Sequence, residues 1–312
     1  FEVSIKSADN IFEAIDRNKF NPWLIYIKST GWFIIKNNKP FTTVDKSDFS
    51  FNLEGKKISF DFAYITIHGT PGENGILQGY FELLKIPYST SNIYSSSLTF
   101  NKWFCSNYLR GFGITLAKSA IIGRGEEINE NIVLSDLGLP LFVKPNAGGS
   151  SFGITKVKRA GSLKSALLKA WEESNEAIVE EFIEGREYTC GLIKLSTGTI
   201  IFPITEIIPK NEFFDFEAKY TPGATDEITP ARLPGHLSEK CRQLSSKIYD
   251  LCGCSGIIRI DYILKGEEFY FLEVNTTPGM TAASIIPRQI KAMGLTLKQL
   301  LTEIITDKIK TN

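Results

Sequence analysis

The stretch Gly256-Ile-Ile-Arg259-Ile-Asp261-Tyr-Ile-Leu264, a break from Lys265 to Glu268, and then Phe269-Tyr-Phe-Leu-Glu273-Val-Asn275-Thr-Thr-Pro-Gly279 decides how this chain is read. Two strongly apolar runs each carry polar residues two positions apart. Side chains alternate along a strand, so Arg259 and Asp261 share one face, as do Glu273 and Asn275. An antiparallel hairpin would bring the two faces together. Direct pairing of Asp261 with Glu273 needs an odd loop length, which the sequence allows but does not fix. Two carboxylates and an amide oxygen on a half-buried surface repel unless a cation lies among them. An all-oxygen set suits magnesium rather than zinc, and magnesium with few protein ligands usually takes the rest from phosphates. A salt-bridged hairpin edge would carry the same residues.

The chain's 312 residues can hold two or three subdomains and a large core. Apolar content of 43% and charged content of 22% are those of an ordinary globular protein. Lys plus Arg equals Asp plus Glu at 35 each, so no overall field draws nucleic acid or an anionic membrane. No apolar run approaches a membrane span, and no signal peptide is visible. Cys105, Cys190, Cys241, Cys252 and Cys254 make no zinc-like pair of CxxC motifs, and their scatter suits a reducing cytosol.

Working back from the hairpin, Trp23–Ile27, Gly31–Ile35 and Phe60–Ile67 read as strands. The last delivers His68-Gly-Thr-Pro-Gly-Glu73-Asn-Gly75, followed by helical spacing over Ile76, Leu77, Tyr80, Phe81 and Leu84. Strand, glycine-rich turn and helix is the grammar of an open α/β sheet, whose ligands sit at the strands' carboxyl ends. His68 therefore stands where a ligand could be. A helix is expected from about Ser97 to Arg110. Leu141–Lys144, the loop Gly148-Gly-Ser150-Ser151-Phe-Gly153 and Ile154–Val157 read as strand, loop, strand. Glycines let backbone amides close on an anion, serines add donors, and Lys102 and Lys144 could reach phosphate oxygens. Neither a Walker pattern nor a complete GxGxxG is present. Gly149–Gly153 does match G-x-S-x-G, but a hydrolase elbow runs from strand into helix, and here the chain continues as strand. Glu180 and Glu187 bracket the next junction, where carboxylates would suit a base edge and a ribose. The polar, aromatic segment 211–225 reads as an ordered functional loop. Leu237 to Leu251 forms a helix stopping at Gly253, and Thr296 with Gln299 caps a final one.

Together these motifs resemble the D-alanine:D-alanine ligases of the ATP-grasp superfamily, over nearly the whole chain. His68–Gly75 with Gln78-Gly79 resembles that family's HGxxGEDGxxQG, with Asn74 in place of the usual Asp. Phe100-Asn-Lys102 stands where it has MDK. Val143-Lys144-Pro145, Gly149–Gly153 and Glu217-Ala-Lys219-Tyr220 are similar to its VKP, GSSVG and EAKY elements. Arg259-Ile-Asp261 and Glu273–Ser284 are similar to its metal and substrate segment.

The resemblance implies an α/β (α+β) ATP-grasp fold with a Rossmann-like N-terminal domain over 1–98 and ATP-grasp subdomains over 99–183 and 184–312. It implies a cytoplasmic enzyme, a homodimer, that joins two D-alanines through an acyl phosphate at the expense of ATP. Two Mg²⁺ ions, replaceable by Mn²⁺, would be held by Asp261, Glu273 and Asn275. Lys102, Lys144, Ser151 and Lys219 would contact phosphates, Glu180, Phe182 and Ile183 the adenine, and Glu187 the ribose. Arg259, Ser150, Tyr220 and His68 would serve the chemistry, with Tyr220 favouring D-alanine as acceptor. Glu73, Gly279, Ser284 and Ile285 would border the amino acids. Phe1-Glu2-Val3-Ser4 is similar only to the end of the family's Glu-x-Glu-Val-Ser turn, which places the expected first strand and a substrate-binding Glu ahead of Phe1. The alternatives are D-serine or D-lactate as acceptor, or a nucleotide-binding form without catalysis.

Overall fold

The computed structural model describes residues 2–149, 152–209 and 225–311. Ser150, Ser151, Lys219 and Tyr220 lie outside the described residues. The helices are α1 (Glu2–Ala14), α2 (Ile76–Leu83), α3 (Ile93–Phe100), α4 (Lys102–Arg110), α5 (Glu130–Leu137), α6 (Leu163–Glu173), α7 (Gly235–Leu251), α8 (Ile285–Ala292) and α9 (Leu297–Thr311). The strands are β1 (Leu24–Lys28), β2 (Gly31–Lys36), β3 (Lys39–Thr43), β4 (Ser50–Leu53), β5 (Lys56–Ser59), β6 (Ser119–Gly123), β7 (Leu141–Pro145), β8 (Thr155–Val157), β9 (Glu176–Glu181), β10 (Arg186–Leu195), β11 (Gly198–Ile201), β12 (Thr205–Pro209), β13 (Thr225–Ile228), β14 (Ile258–Lys265) and β15 (Glu268–Asn275).

Two antiparallel sheets dominate. The first has the order β6-β9-β7-β8, and the second runs β13-β12-β10-β14-β15 with β11 paired to β10. Each is apolar on the face it turns to helices. Leu141, Val143, Ala177 and Val179 pack against Leu163, Leu167 and Ala170 of α6. Tyr188, Cys190, Leu192, Ile258, Ile260 and Tyr262 pack with Leu237, Cys241 and Ile248 of α7 and with Cys105 and Leu109 of α4. The alternate residues of β10 and β14 point the other way, toward α8 and a cleft.

The hairpin forms, and its register answers the loop-length question. Lys265 faces Glu268 and Tyr262 faces Phe271, as a two-residue turn requires. A bulge at Leu272 then adds one residue, so Asp261 faces Glu273 and Arg259 faces Asn275. The odd residue sits in the strand and not in the loop.

Two expectations need correction. Residues 60–67 form no strand, and among the described residues their ladder contact is a parallel bridge between Ala63 and Tyr88. Other backbone groups there bond to side chains: Ile65 N–H donates to Ser89 Oγ and His68 N–H to Ser4 Oγ on α1. The helix expected over 97–110 is two helices. Asn101 is extended (φ −92°, ψ 104°), and its side chain accepts from Phe104 N–H, so it ends α3 and opens α4. The closing capping box is present: Gln299 N–H donates to Thr296 Oγ1 and Thr296 N–H to Gln299 Oε1. All five cysteines are free thiols.

Candidate active site

The cleft between the two large sheets is a cavity of about 440 Å³. From the first sheet it takes Phe142, Lys144 and Glu180, with Phe182 and Ile183 just beyond β9. From the second it takes Glu187, Ile207, Asp261 and Glu273, and Lys102 enters from α4. The structure thus brings together most of the residues expected at a nucleotide. Phe142 and Phe182 lie 5.9 Å apart, centroid to centroid, and make an apolar wall suited to a base.

The lysines are held in place by anionic and carbonyl partners. Asn146 is fully buried. Its main-chain oxygen accepts from Lys102 N–H, and its Oδ1 accepts from Trp103 N–H. That fixes the start of α4, and Lys102 Nζ then donates to Gly148 O at 2.9 Å and lies 3.8 Å from Glu273. Lys144 Nζ donates to Glu180 Oε2 at 2.5 Å. Burial alone would lower the Lys144 pKa, but Glu180, Glu273 and Glu187 outweigh it and raise it above the ordinary lysine value. Lys144 therefore stays cationic in the cleft.

At the floor, three strands set polar residues in rows. Thr189 of β10 faces Asp261 of β14, which faces Glu273 of β15. One row further on, Gly191 faces Arg259, which faces Asn275. Arg259 grips Asp261 with Nε to Oδ1 at 2.9 Å and Nη2 to Oδ2 at 2.8 Å. Burial opposes the charge on Arg259, while Asp261, Glu273 and Glu187 hold it, and the balance keeps the guanidinium protonated. Asp261 takes two of the five N–H groups of the Arg259 guanidinium.

The expected magnesium ligands fit the ion in kind, two facing carboxylates and an adjacent amide that carries an oxygen but turns its Nδ2 to Asp261 Oδ2. Among the described residues no group of three or more His, Cys, Asp or Glu gathers to hold a metal. Asp261, Glu273 and the Asn275 amide are the residues that could hold a cation here, with further oxygens from a ligand.

The expected amino-acid residues do not line the nucleotide cavity. His68 Nδ1 lies 3.6 Å from Glu73 Oε1, and Glu73 Oε2 accepts from Gly69 N–H. A Cβ on Gly149 would stand 3.7 Å from Glu73 Oε2, so this pair reaches the glycine loop. His68 Nε2 is buried with no hydrogen-bond partner among the described residues, the kind of orphan a bound polar group would satisfy. Ser284 precedes α8, with its Oγ bonded to Thr281, and Ile285 begins the helix. Gly279 lies against Ser284, since a Cβ there would fall 2.9 Å from Ser284 Oγ.

Sequence reasoning missed Thr189, whose hydroxyl donates to Asp261 Oδ1 at 2.6 Å, and Arg288 of α8, which pairs with Glu227 of β13. Arg288 stands one helical turn beyond Ser284, a spacing that could have marked it. Nothing local marks Thr189, because a threonine in a strand is ordinary.

Two facing sheets, one bearing Lys144 and the other an Arg–carboxylate row, with Lys102 entering from α4, define an ATP-grasp enzyme. A family model described as D-ala D-ala ligase C-terminus matches residues 109–306, and one described as D-ala D-ala ligase N-terminus matches 1–91. A D-alanine--D-alanine ligase of Phocaeicola vulgatus is 52% identical over 307 residues, covering 98% of this chain and 94% of the relative. The crystal structure of VanG D-Ala:D-Ser ligase from Enterococcus faecalis superposes with a TM-score of 0.86 at 33% identity, covering 98% of this chain and 95% of that one. That of the Bacillus anthracis D-alanine--D-alanine ligase complexed with ATP gives 0.77 at 30% identity, covering 99% and 93%. The chain belongs to the D-alanine–D-alanine ligase family.

Proposed function

We propose that this protein joins two D-alanine molecules into D-alanyl-D-alanine, with ATP converted to ADP and phosphate, to supply peptidoglycan precursor synthesis. The observation that carries the reading is the meeting of Lys102 and Lys144 with Asp261 and Glu273 in one cleft. The reaction brings a carboxylate to a triphosphate, two anions that repel, so cationic groups must flank their meeting point. Lys102 and Lys144 would take phosphate oxygens, letting go of Gly148 O and Glu180. Phe142, Phe182 and Ile183 would hold the base, with the freed Glu180 at its edge and Glu187 at the ribose. Asp261, Glu273 and Asn275 would hold two magnesium ions, with manganese as a substitute. Bound magnesium supplies charge neutralisation on the triphosphate and polarises the γ-phosphoryl group.

The first D-alanine's carboxylate oxygen bonds to the γ-phosphorus as the bond to ADP breaks. The second D-alanine's amine, having shed a proton, then bonds to the acyl carbon, and phosphate leaves with the former carboxylate oxygen. Negative charge develops on the carbonyl oxygen between these events, and Arg259 would meet it with its remaining N–H groups. His68 and Glu73 would border the first amino acid, and Gly279, Ser284 and the Ile285 N–H would border the second one's carboxylate. Ser150, Ser151, Lys219 and Tyr220 would complete the site by the same motif match. An acyl phosphate hydrolyses in water, so closure over the cleft belongs to the reading.

We take residues 1–98 as the N-terminal domain and 99–183 and 184–312 as the two ATP-grasp subdomains. The proposed setting is the cytoplasm, and the proposed assembly a homodimer. No described helix is long and apolar enough to cross a membrane. Several curated relatives near 50% identity carry the name D-alanine--D-alanine ligase, which supports D-alanine as acceptor over D-serine or D-lactate. The test is phosphate release with ATP, Mg²⁺ and D-alanine together with product identification by mass spectrometry. One dipeptide per phosphate is expected, and phosphate without dipeptide would reject the proposal.

A further inference from the structure

Asp261 accepts four hydrogen bonds. Oδ1 takes Arg259 Nε at 2.9 Å and Thr189 Oγ1 at 2.6 Å, and Oδ2 takes Arg259 Nη2 at 2.8 Å and Asn275 Nδ2 at 3.2 Å. A carboxylate offers about four acceptor positions, so all are in use. The contacts are unequal. Arg259 and Thr189 form the short ones, and the Asn275 amide forms the longest. Asn275 also carries an oxygen on the same side chain, so turning that amide exchanges a donor for a ligand. Oδ1 is therefore held by both Arg259 and Thr189, while Oδ2 keeps its Arg259 contact and has one exchangeable position, that of Asn275.

The anchor reaches further. Thr189 is 1% exposed, and its main-chain oxygen accepts from Gln289 Nε2 at 3.2 Å. Gln289 is fully buried on α8 and also donates to Thr205 Oγ1 at 3.0 Å. It comes this close because residue 191, the next one on that face of β10, is glycine. A Cβ there would stand 2.5 Å from Gln289 Oε1 and 2.4 Å from Ile286 Cδ1. The helix that begins at Ser284 is thus joined through two buried hydrogen bonds to the carboxylate at the centre of the floor. We infer that Thr189 and Gln289 are positioning residues that fix the Asp261 carboxylate for cation binding and tie its orientation to α8.

The inference rests on the ligase reading only in that Asp261 meets a divalent cation with a nucleotide. The test is a Mg²⁺ titration of thermal stability with adenylyl imidodiphosphate, a nucleotide that is not turned over. Thr189→Val keeps shape and strand preference and removes the hydroxyl; Thr189→Ser keeps the hydroxyl. Loss of an outer partner of a metal ligand weakens metal binding by about 10-fold or more. The Mg²⁺ midpoint of Thr189→Val is therefore expected to rise about 10-fold, with Thr189→Ser restoring the parental value and Gln289→Leu shifting in the same direction. Midpoints of Thr189→Val and Gln289→Leu within about twofold of the parent would overturn the inference. So would a lowered ligand-free melting temperature with an unmoved midpoint, the mark of a purely structural role. If Thr189→Val does not fold, Gln289→Leu decides by the same criterion. A parent that binds Mg²⁺ and nucleotide yet makes no dipeptide would sink the proposed reaction and leave this comparison standing.

Discussion

Arg259 shows how much one residue is asked to do. Its guanidinium neutralises a buried carboxylate, and under the proposed reaction its remaining N–H groups would also meet the reacting carbonyl. Removing an oxyanion donor costs about 10²–10³ in kcat, and Arg259→Ala is expected to fall in that range by steady-state phosphate release. Lysine cannot reproduce a two-point grip, so Arg259→Lys should recover only part of the loss. Unchanged turnover in Arg259→Ala would remove the residue from the chemistry. Beside it, Glu273→Gln keeps size and removes a charge. The fold should survive with an unchanged circular dichroism spectrum, while the Mg²⁺ requirement rises. Superimposed magnesium titrations of variant and parent would deny Glu273 its ligand role. Both residues were legible in the sequence because i, i+2 spacing on an apolar strand fixes a shared face whatever surrounds it. Thr189 was illegible because its partner lies 72 residues away, and only the pairing of β10 with β14 makes them neighbours.

Among the elements, α8 is the one the proposed acceptor site would depend on. It carries Ser284 at its start, reaches Glu227 through Arg288, and meets the sheet at Gly191. A methyl at residue 191 would press on the side chains of Ile286, Gln289 and Phe202 at 2.4–2.7 Å, so those side chains or the helix must shift. Overpacking of this kind costs about 1–3 kcal/mol. Gly191→Ala is expected to lower stability by that amount in urea unfolding and to raise KM for the acceptor D-alanine more than KM for ATP. Equal change in the two constants would separate α8 from the acceptor site. Sequence periodicity located α7 and the hairpin because their burial is one-sided. It failed where a single residue overrides the pattern. Asn101 breaks an otherwise continuous helical stretch by capping α4, and the bulge at Leu272 shifts a register that turn length alone would fix differently. Residues 60–67 read as a strand because they are apolar, yet burial there comes from packing against other elements and not from a ladder.

At the scale of the molecule, the cleft is an electrostatic arrangement awaiting a polyanion. Lys144 is held cationic by Glu180, Glu273 and Glu187, so its charge does not titrate away near neutrality. The same carboxylates that hold the lysine would oppose a triphosphate. A divalent cation between Asp261 and Glu273 reverses that opposition, so nucleotide and cation should bind as a unit. A ligand that binds only the folded protein stabilises it by about 2.7 kcal/mol at 100 times its Kd, enough to raise the melting temperature by several degrees. Adenylyl imidodiphosphate with Mg²⁺ is therefore expected to raise the melting temperature, and the same nucleotide with EDTA to raise it far less. Because Lys144 comes from one sheet and Asp261 and Glu273 from the other, the stabilisation should need both sides. Lys144→Met and Glu273→Gln should each lose most of the Mg²⁺-dependent shift while keeping the ligand-free melting temperature within a few degrees. A nucleotide shift of equal size with and without the metal would mean that the lysines alone hold the phosphates, and the pairing of cation with triphosphate across the two sheets would have to be abandoned.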